Sequence, residues 1–207
     1  MKEYTTDKIR NIALIAHGGT GKTSLIEGVL FNCKHTSRMG TIEAGTTVCD
    51  TSPDEIKRQT TIRTKVVPCE WKDKKINLLD TPGYADFTGD ILTALRVVDT
   101  AAIMVCAASG IQVGTEKAFR FAKSMNLPKM IFINKIDREN VDFKSLLDKL
   151  TRKFGSSVTP IIIPMGNGPQ CRGVIDIIQM KAYSYNSGDP NFKERIFRKN
   201  LKQMPSP

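Results

Sequence analysis

The sequence predicts an α/β fold in which a doubly wound, mostly parallel sheet carries helices on both faces. Short, mostly apolar runs alternate with segments whose apolar residues recur at helical spacing, a rhythm typical of βαβ units with right-handed crossovers. A glycine-rich turn also joins the first apolar run to the first helical segment. Sheets of this kind bind ligands at the carboxyl ends of their strands, so we expect the functional site at that edge.

The first predicted unit is a strand, a loop and a helix. The run Ile9 to Ala16 is short, mostly apolar and followed by glycines, as expected of a strand buried on both faces of a parallel sheet. From Lys22 onwards the apolar residues fall at helical spacing, so the glycine turn opens a helix. Residues 33–60 are polar, rich in Thr and without a sustained period, which predicts a long, mobile loop.

The alternation of strands and helices continues to residue 154. Lys72-Asp73-Lys74 predicts the turn of a hairpin between the next two strands. The predicted strands are Thr61 to Trp71, Lys75 to Asp80, Ala101 to Ala107 and Lys129 to Ile133, and the predicted helices lie around Ile91 to Val98, Glu116 to Met125 and Phe143 to Phe154.

Beyond the last of these helices the pattern changes to short strand-like pieces. They are Val158 to Pro164 and Arg172 to Ile178, separated by a glycine-rich turn. The change predicts a boundary between a core domain, residues 1–155, and a second subdomain, residues 156–207. One helix is predicted in the tail, Phe192 to Leu201.

Composition limits the class of protein. Hydrophobic residues make up 40% and charged residues 25% of the 207 residues, which suits a folded domain. Neither a membrane span nor a secretory signal is recognisable, so a cytoplasmic location without membrane contact is expected. The five cysteines are widely spaced and form no CxxC pair, which favours reduced structural thiols. The net charge of +10 suits polyanion binding or mere solubility, so charge alone names no partner.

The glycine turn fits the phosphate-loop pattern GxxxxGK followed by Ser or Thr, except that Ala16 replaces the first Gly. Small residues let backbone amides turn inward around phosphates, and the helix amino terminus adds partial positive charge. Lys22 is expected to reach the β and γ phosphates, and Thr23 to offer its hydroxyl to Mg²⁺. The predicted nucleotide-binding residues here are His17, Gly18, Gly19, Thr20, Gly21, Lys22, Thr23 and Ser24.

A second motif, Asp80-Thr81-Pro82-Gly83, follows a predicted strand. A carboxylate at a strand end can hold Mg²⁺ through water, and Gly83, which lacks a Cβ, can bring its amide close to a γ phosphate. The same four residues also make an ordinary turn. Their position downstream of a phosphate loop favours the binding role for Asp80 and Gly83.

A third motif, Asn134-Lys135-Ile136-Asp137, ends another predicted strand. An ionised Asp137 can accept two hydrogen bonds from guanine N1–H and N2–H, whereas adenine lacks this donor pair and would leave the carboxylate unpaired. Asn134 would meet the base at N7, and the stem of Lys135 would cover one face of the ring. Together the three motifs predict a site for GTP or GDP.

Four blocks of the chain resemble the amino-terminal G domain of the translational GTPases, among them elongation factor G. A further block, Pro160 to Ala182, resembles the start of the subdomain that elongation factor G inserts into its G domain. Residues 156–207 are therefore expected to be the truncated beginning of that insertion. The four blocks are Ile12 to Glu27, Asp54 to Ile62, Asp80 to Asp90 and Asn134 to Phe143.

The resemblance implies a P-loop NTPase fold and a Mg²⁺-dependent GTPase with GTP as substrate and GDP as product. It also implies the ribosome, with its rRNA, as partner of the full-length relative. By the same resemblance, Thr61 is the first-switch threonine that closes on Mg²⁺ and the γ phosphate. The residues expected to act in hydrolysis are Lys22, Thr61, Gly83 and Tyr84, and those expected to hold Mg²⁺ are Thr23, Thr61 and Asp80.

Three residues depart from the pattern of the ribosome-translocating members. Tyr84 stands where those members carry a His that orients the attacking water, and a tyrosine hydroxyl stays protonated at neutral pH, so it is not a general base. Gly19 replaces an Asp beside the phosphates, which leaves the use of a monovalent cation open. Gln59 replaces a Gly. These departures resemble those of elongation factor G-like paralogues.

The Tyr84 departure leaves an alternative function open, a GTP-occupied ribosome-binding module with negligible hydrolysis. Non-specific binding of nucleic acid through the net charge of +10 is a third possibility. No Ser-Ala-x block, the remaining guanine-contacting loop of the fold, follows Ala182. The chain is therefore expected to be a monomeric fragment, either an excised G domain or a truncated product.

Overall fold

A computed structural model describes residues 2–185 and 192–196 of the chain. The chain divides into two compact units, residues 1–134 and residues 135–207. The division into domains predicted near residue 155 stays a prediction. Among the described residues, no helix has the length and apolar character needed to cross a membrane.

The first unit contains a five-stranded sheet with strand order β2-β3-β1-β4-β5. β2 pairs antiparallel with β3, and every other neighbouring pair is parallel. The predicted mostly parallel sheet is thus confirmed. The strands are β1 Ile9–Ala16, β2 Lys65–Trp71, β3 Lys74–Asp80, β4 Thr100–Cys106 and β5 Lys129–Asn134, and the helices are α1 Lys22–Asn32, α2 Pro53–Arg58, α3 Thr88–Leu95 and α4 Val113–Ser124.

Helices cover both faces of this sheet. Successive residues of a strand point to opposite faces, so one strand can contribute apolar side chains to the packing on each side. Ala13 and Ile15 of β1 belong to a buried cluster formed with residues of α3 and α4. Leu14 of the same strand belongs to a second cluster, which contains Ile26 and Leu30 of α1. The doubly wound arrangement is therefore confirmed, and it brings the ends of β1, β3, β4 and β5 to one edge.

The segment predicted as a loop, residues 33–60, contains the helix α2. Ser52 caps this helix: its side chain accepts a hydrogen bond from the Glu55 N–H, the Glu55 side chain accepts one from the Ser52 N–H, and Pro53 occupies the first turn. The prediction of an unstructured loop is wrong at this point, because a capping box stabilises even a short helix. β2 begins at Lys65, later than the predicted start at Thr61.

The second unit contains the helix α5, Phe143–Phe154, and a separate four-stranded sheet with order β6-β7-β8-β9. All neighbouring pairs in this sheet are antiparallel. Its strands are β6 Ile162–Pro164, β7 Gly173–Asp176, β8 Lys181–Tyr185 and β9 Phe192–Ile196.

The predicted helix Phe192 to Leu201 is wrong over residues 192–196, which form β9. This strand pairs with β8 along its whole length, and such pairing across the sheet overrides a local preference for helix. Residues 197–201 of the predicted helix lie outside the described part of the chain.

Candidate functional site

The phosphate loop lies between the end of β1 and the start of α1. Gly19 and Gly21 have positive φ angles of 73° and 95°, which glycine adopts without steric cost. The Thr20 hydroxyl donates a hydrogen bond to the carbonyl oxygen of His17 at 3.1 Å, which closes the turn on itself. The loop therefore has the backbone conformation that its glycine pattern predicts.

Lys22 is the buried cation of this loop, with 6% of its surface exposed. Burial lowers the pKa of its ammonium group, and the carboxylates of Asp80 and Asp50 oppose that shift. A buried cation is costly unless an anion compensates it. A phosphate bound in the loop would supply such an anion.

The turn after β3 closes against the phosphate loop at Gly83. A Cβ placed on Gly83 would lie 2.8 Å from the Cα of Gly18 and 2.8 Å from the Nζ of Lys22, so only glycine fits without a shift. The ring of the next residue, Tyr84, lies against Gly18, where an added Cβ would be 3.0 Å from the Tyr84 Cζ. Tyr84 is half exposed, so its hydroxyl can reach solvent.

Two hydroxyls and two carboxylates meet beside Lys22. The Thr23 hydroxyl donates to Asp80 Oδ2 at 2.7 Å and lies 3.3 Å from the Thr61 hydroxyl. Burial raises the pKa of Asp80 to about 6, although Lys22 opposes the shift. Burial also raises the pKa of Asp50.

One oxygen of each carboxylate, Asp50 Oδ1 and Asp80 Oδ1, is buried without a hydrogen-bond partner among the described residues. Hard cations such as Mg²⁺ prefer oxygen ligands and keep several waters, which such carboxylates can accept hydrogen bonds from. The oxygens of Thr23 and Thr61 are neighbours of this pair. These residues fit a Mg²⁺ ion, and Asp50 extends the set predicted from the sequence.

One cavity brings together most of the predicted site residues. Four predicted site residues of the first two motifs do not line it: His17 packs against Gly114 of α4, Thr20 and Asp80 are buried, and Ser24 is exposed on α1. Predicted residues lining the cavity are Gly18, Gly19, Gly21, Lys22, Thr23, Thr61, Gly83 and Tyr84. Four further residues line the cavity and were not predicted as site residues, namely Ile42, Asp50, Gln59 and Thr60. Ile42 and Asp50 belong to no recognisable motif, and the sequence marks Gln59 only as a departure from the family pattern.

Asn134, the last residue of β5, donates a hydrogen bond from its side-chain Nδ2 to the carbonyl oxygen of Thr20 at 2.9 Å. The first residue of the third motif is therefore tied to the phosphate loop. Lys135, with a φ of 59°, and the exposed Asp137 belong to the second unit. Their roles at the guanine base stay predictions.

Glu55 is a buried carboxylate near Thr61 that sequence reasoning also missed. Its Oε1 accepts hydrogen bonds from the N–H groups of Ile62 and Arg63 at 3.1 and 3.2 Å. Burial raises the pKa of Glu55, but these hydrogen bonds and those from Ser52 together hold it below its ordinary value. The ionised carboxylate thereby connects α2 to the residues that follow Thr61.

Comparison with known proteins identifies the family. Residues 7–203 match the elongation factor Tu GTP-binding domain family. The chain belongs to this family. A crystal structure of a protein from Thermus thermophilus is similar to this GTP-binding domain with a TM-score of 0.84 and 39% identity, over 91% of this chain and 28% of that chain.

Individual relatives of this GTP-binding domain carry names from translation. Elongation factor G of Granulibacter bethesdensis is 37% identical over 91% of this chain and 27% of that protein. Elongation factor G of Thermotoga neapolitana is 37% identical over 95% of this chain and 28% of that protein. Mitochondrial ribosome-releasing factor 2 of Candida albicans is 35% identical over 90% of this chain and 24% of that protein. The domain is thus a translational GTPase G domain of the elongation factor G type, and the chain spans 24–28% of the length of these relatives.

Proposed function

We propose that this domain binds GTP together with Mg²⁺ and hydrolyses it to GDP, within a translation factor that acts on the ribosome. One observation carries the binding part of the proposal. Two buried carboxylate oxygens, on Asp50 and Asp80, have no hydrogen-bond partner within the described part of the chain. Their side chains are neighbours of two threonine hydroxyls and of the buried ammonium of Lys22. This combination suits a divalent cation beside a polyphosphate.

Thr23 and Thr61 would hold Mg²⁺ through their hydroxyls, and Asp50 and Asp80 would accept hydrogen bonds from its water ligands. When bound, Mg²⁺ neutralises charge that develops on the phosphate oxygens. The remaining charge falls to Lys22 and to the inward-facing amides of the phosphate loop.

Gly83 and Tyr84 lie against Gly18 of the phosphate loop and line the same cavity, so we assign them to the γ-phosphate end of the site. The absence of a Cβ lets the Gly83 backbone lie against Gly18 and Lys22, where its amide could donate to a phosphate bound in the loop. The Tyr84 hydroxyl can hydrogen-bond an attacking water and orient it, but it lacks the imidazole that the ribosome-translocating members carry at this position. Hydrolysis without stimulation is therefore expected to be slow.

Guanine is the proposed base, with Asn134, Lys135 and Asp137 as its contacts. The tie between Asn134 and Thr20 supports a base site adjoining the phosphate site. In Asp137→Asn the acceptor pair becomes one acceptor and one donor, so preference should move from GTP towards xanthosine triphosphate. Competition binding with the two nucleotides measures this change, and an unaltered preference for GTP would remove Asp137 from the site.

The chemical step is tested by single-turnover hydrolysis with and without ribosomes. We expect ribosomes to stimulate hydrolysis, and Tyr84→His to be faster than the parent, since a suitably placed acid–base group contributes about 10²- to 10⁴-fold. GTP binding with no turnover under either condition would instead favour the GTP-occupied ribosome-binding module. The expected cytoplasmic location and monomeric state stay predictions.

A further inference from the structure

Glu27 is a buried carboxylate to which the proposed function assigns no role. It lies on α1, one turn beyond Thr23, and only 1% of its surface is exposed. Its Oε2 accepts a hydrogen bond from the N–H of Gly40 at 2.8 Å, and its Oε1 accepts one from the N–H of Val48 at 2.6 Å. A single side chain therefore joins the helix of the phosphate loop to two points of the segment that follows it.

The residues between these two points form a compact turn. The Thr46 N–H donates to the carbonyl oxygen of Thr41 at 3.2 Å, and the Thr41 N–H donates to the Thr46 hydroxyl at 3.1 Å. Gly40 packs so closely on this turn that a Cβ there would collide with the carbonyl oxygen of Thr46. Glu27 binds both ends of the turn and thus fixes it on α1 as one piece.

This turn places residues of the cavity. Ile42, within it, lines the cavity, and so does Asp50, which lies directly beyond the anchored Val48 and Cys49. Cys49 is fully buried, so the chain between the anchor and Asp50 is held in the core. The hydrogen bond that Glu27 makes with Val48 therefore fixes the chain two residues before Asp50.

We propose that Glu27 is a positioning residue that favours GTP over GDP by holding residues 40–48 in place, so that the Asp50 carboxylate can bind the water ligands of a cation beside the γ phosphate. The proposal rests on the proposed GTP site. If a segment is already ordered, less conformational entropy is lost when a ligand binds against it. Binding is strengthened in this way only for a ligand that contacts the segment. In the proposed site, the γ phosphate that only GTP carries would lie in the cavity that Ile42 and Asp50 line, whereas the phosphate-loop contacts would be common to GTP and GDP.

The test compares Glu27→Gln with Glu43→Gln, a matched control at an exposed position within the same turn. A glutamine at position 27 keeps one acceptor but turns a donor towards the second N–H. The measurements are affinities for a fluorescent GDP and a fluorescent non-hydrolysable GTP analogue, both with Mg²⁺, and hydrogen exchange at the Gly40 and Val48 amides.

Loss of a hydrogen bond to a charged group predicts about tenfold weaker binding of the GTP analogue by Glu27→Gln. GDP affinity should stay within about twofold of the parent, because GDP lacks the phosphate that is proposed to lie beside this segment. Exchange at the Gly40 and Val48 amides should become faster, and Glu43→Gln should match the parent throughout. Equal losses for both nucleotides, no loss for either, or unchanged exchange would each overturn the positioning role.

If Glu27→Gln does not fold, Glu27→Asp replaces it in the same measurements. Aspartate keeps the charge but is shorter by one methylene, so it cannot reach both amides, and the same pattern is expected. If the parent binds neither nucleotide, the proposed function fails separately. In that case faster exchange at the Gly40 and Val48 amides would still support the anchor, and unchanged exchange would contradict it.

Discussion

Gly83→Ala tests the close approach between the turn after β3 and the phosphate loop. The added Cβ would lie 2.8 Å from the Cα and N of Gly18 and from the Nζ of Lys22. Carbon atoms in comfortable contact are about 3.5–4.0 Å apart, so at least one neighbour must move by roughly 0.7 Å or more. Two of the three atoms are backbone, which a change of rotamer cannot relieve.

Overpacking of this kind costs about 1–3 kcal/mol, so we expect the free energy of unfolding of Gly83→Ala to fall by that amount. Urea denaturation of the nucleotide-free chain, followed by circular dichroism, measures it. Gly89→Ala is the matched control, because Gly89 lies on α3 with no atom within 4 Å of an added Cβ. Its unfolding free energy should not fall, and the higher helix propensity of alanine should raise it by up to about 1 kcal/mol. Equal values for the two variants would refute the close approach.

Two further predictions concern buried polar contacts. Because the pKa of Glu55 is held below its ordinary value, its ionised form contributes stability above that value and loses it as pH falls through the lowered pKa. Glu55→Gln should therefore be less stable than the parent at neutral pH and lose less on acidification, as thermal unfolding at several pH values would show. Asn134→Ala removes the hydrogen bond to Thr20 and should cost about 0.5–1.5 kcal/mol in urea denaturation. Asn32→Ala, which loses an exposed hydrogen bond, should lower the free energy of unfolding by less. Equal losses in the two variants would contradict a stabilising role for the hydrogen bond between Asn134 and Thr20.

The parts of the site that the sequence could predict are contiguous motifs. Lys22 and Gly83 each stand in a short pattern whose spacing fixes the backbone, so local reasoning locates them. Asp50 and Glu27 have no such pattern. Their roles depend on burial and on contacts with residues distant in the chain, and an isolated carboxylate in a polar segment has the same appearance in a sequence whether it is exposed or buried.

The two errors in secondary structure have different physical origins. α2 was predictable, because Ser52-Pro53-Asp54-Glu55 contains the cap, the proline and the acidic residue that begin a helix. β9 was not, because Phe192–Ile196 becomes a strand through pairing with β8, a non-local contact that outweighs local preference. β1 and β4 were predicted well because these central strands are mostly apolar, as burial on both faces requires.

Calorimetric titration of the folded chain with GTP, in the presence and absence of Mg²⁺ and with ATP as competitor, is the most direct test of the site. We expect saturable binding of GTP that weakens when Mg²⁺ is chelated, because Asp50 and Asp80 then repel the phosphates without a cation between them. ATP in excess should leave GTP binding intact. Absence of saturable binding, or displacement of GTP by an equal concentration of ATP, would contradict a guanine nucleotide site built from these residues.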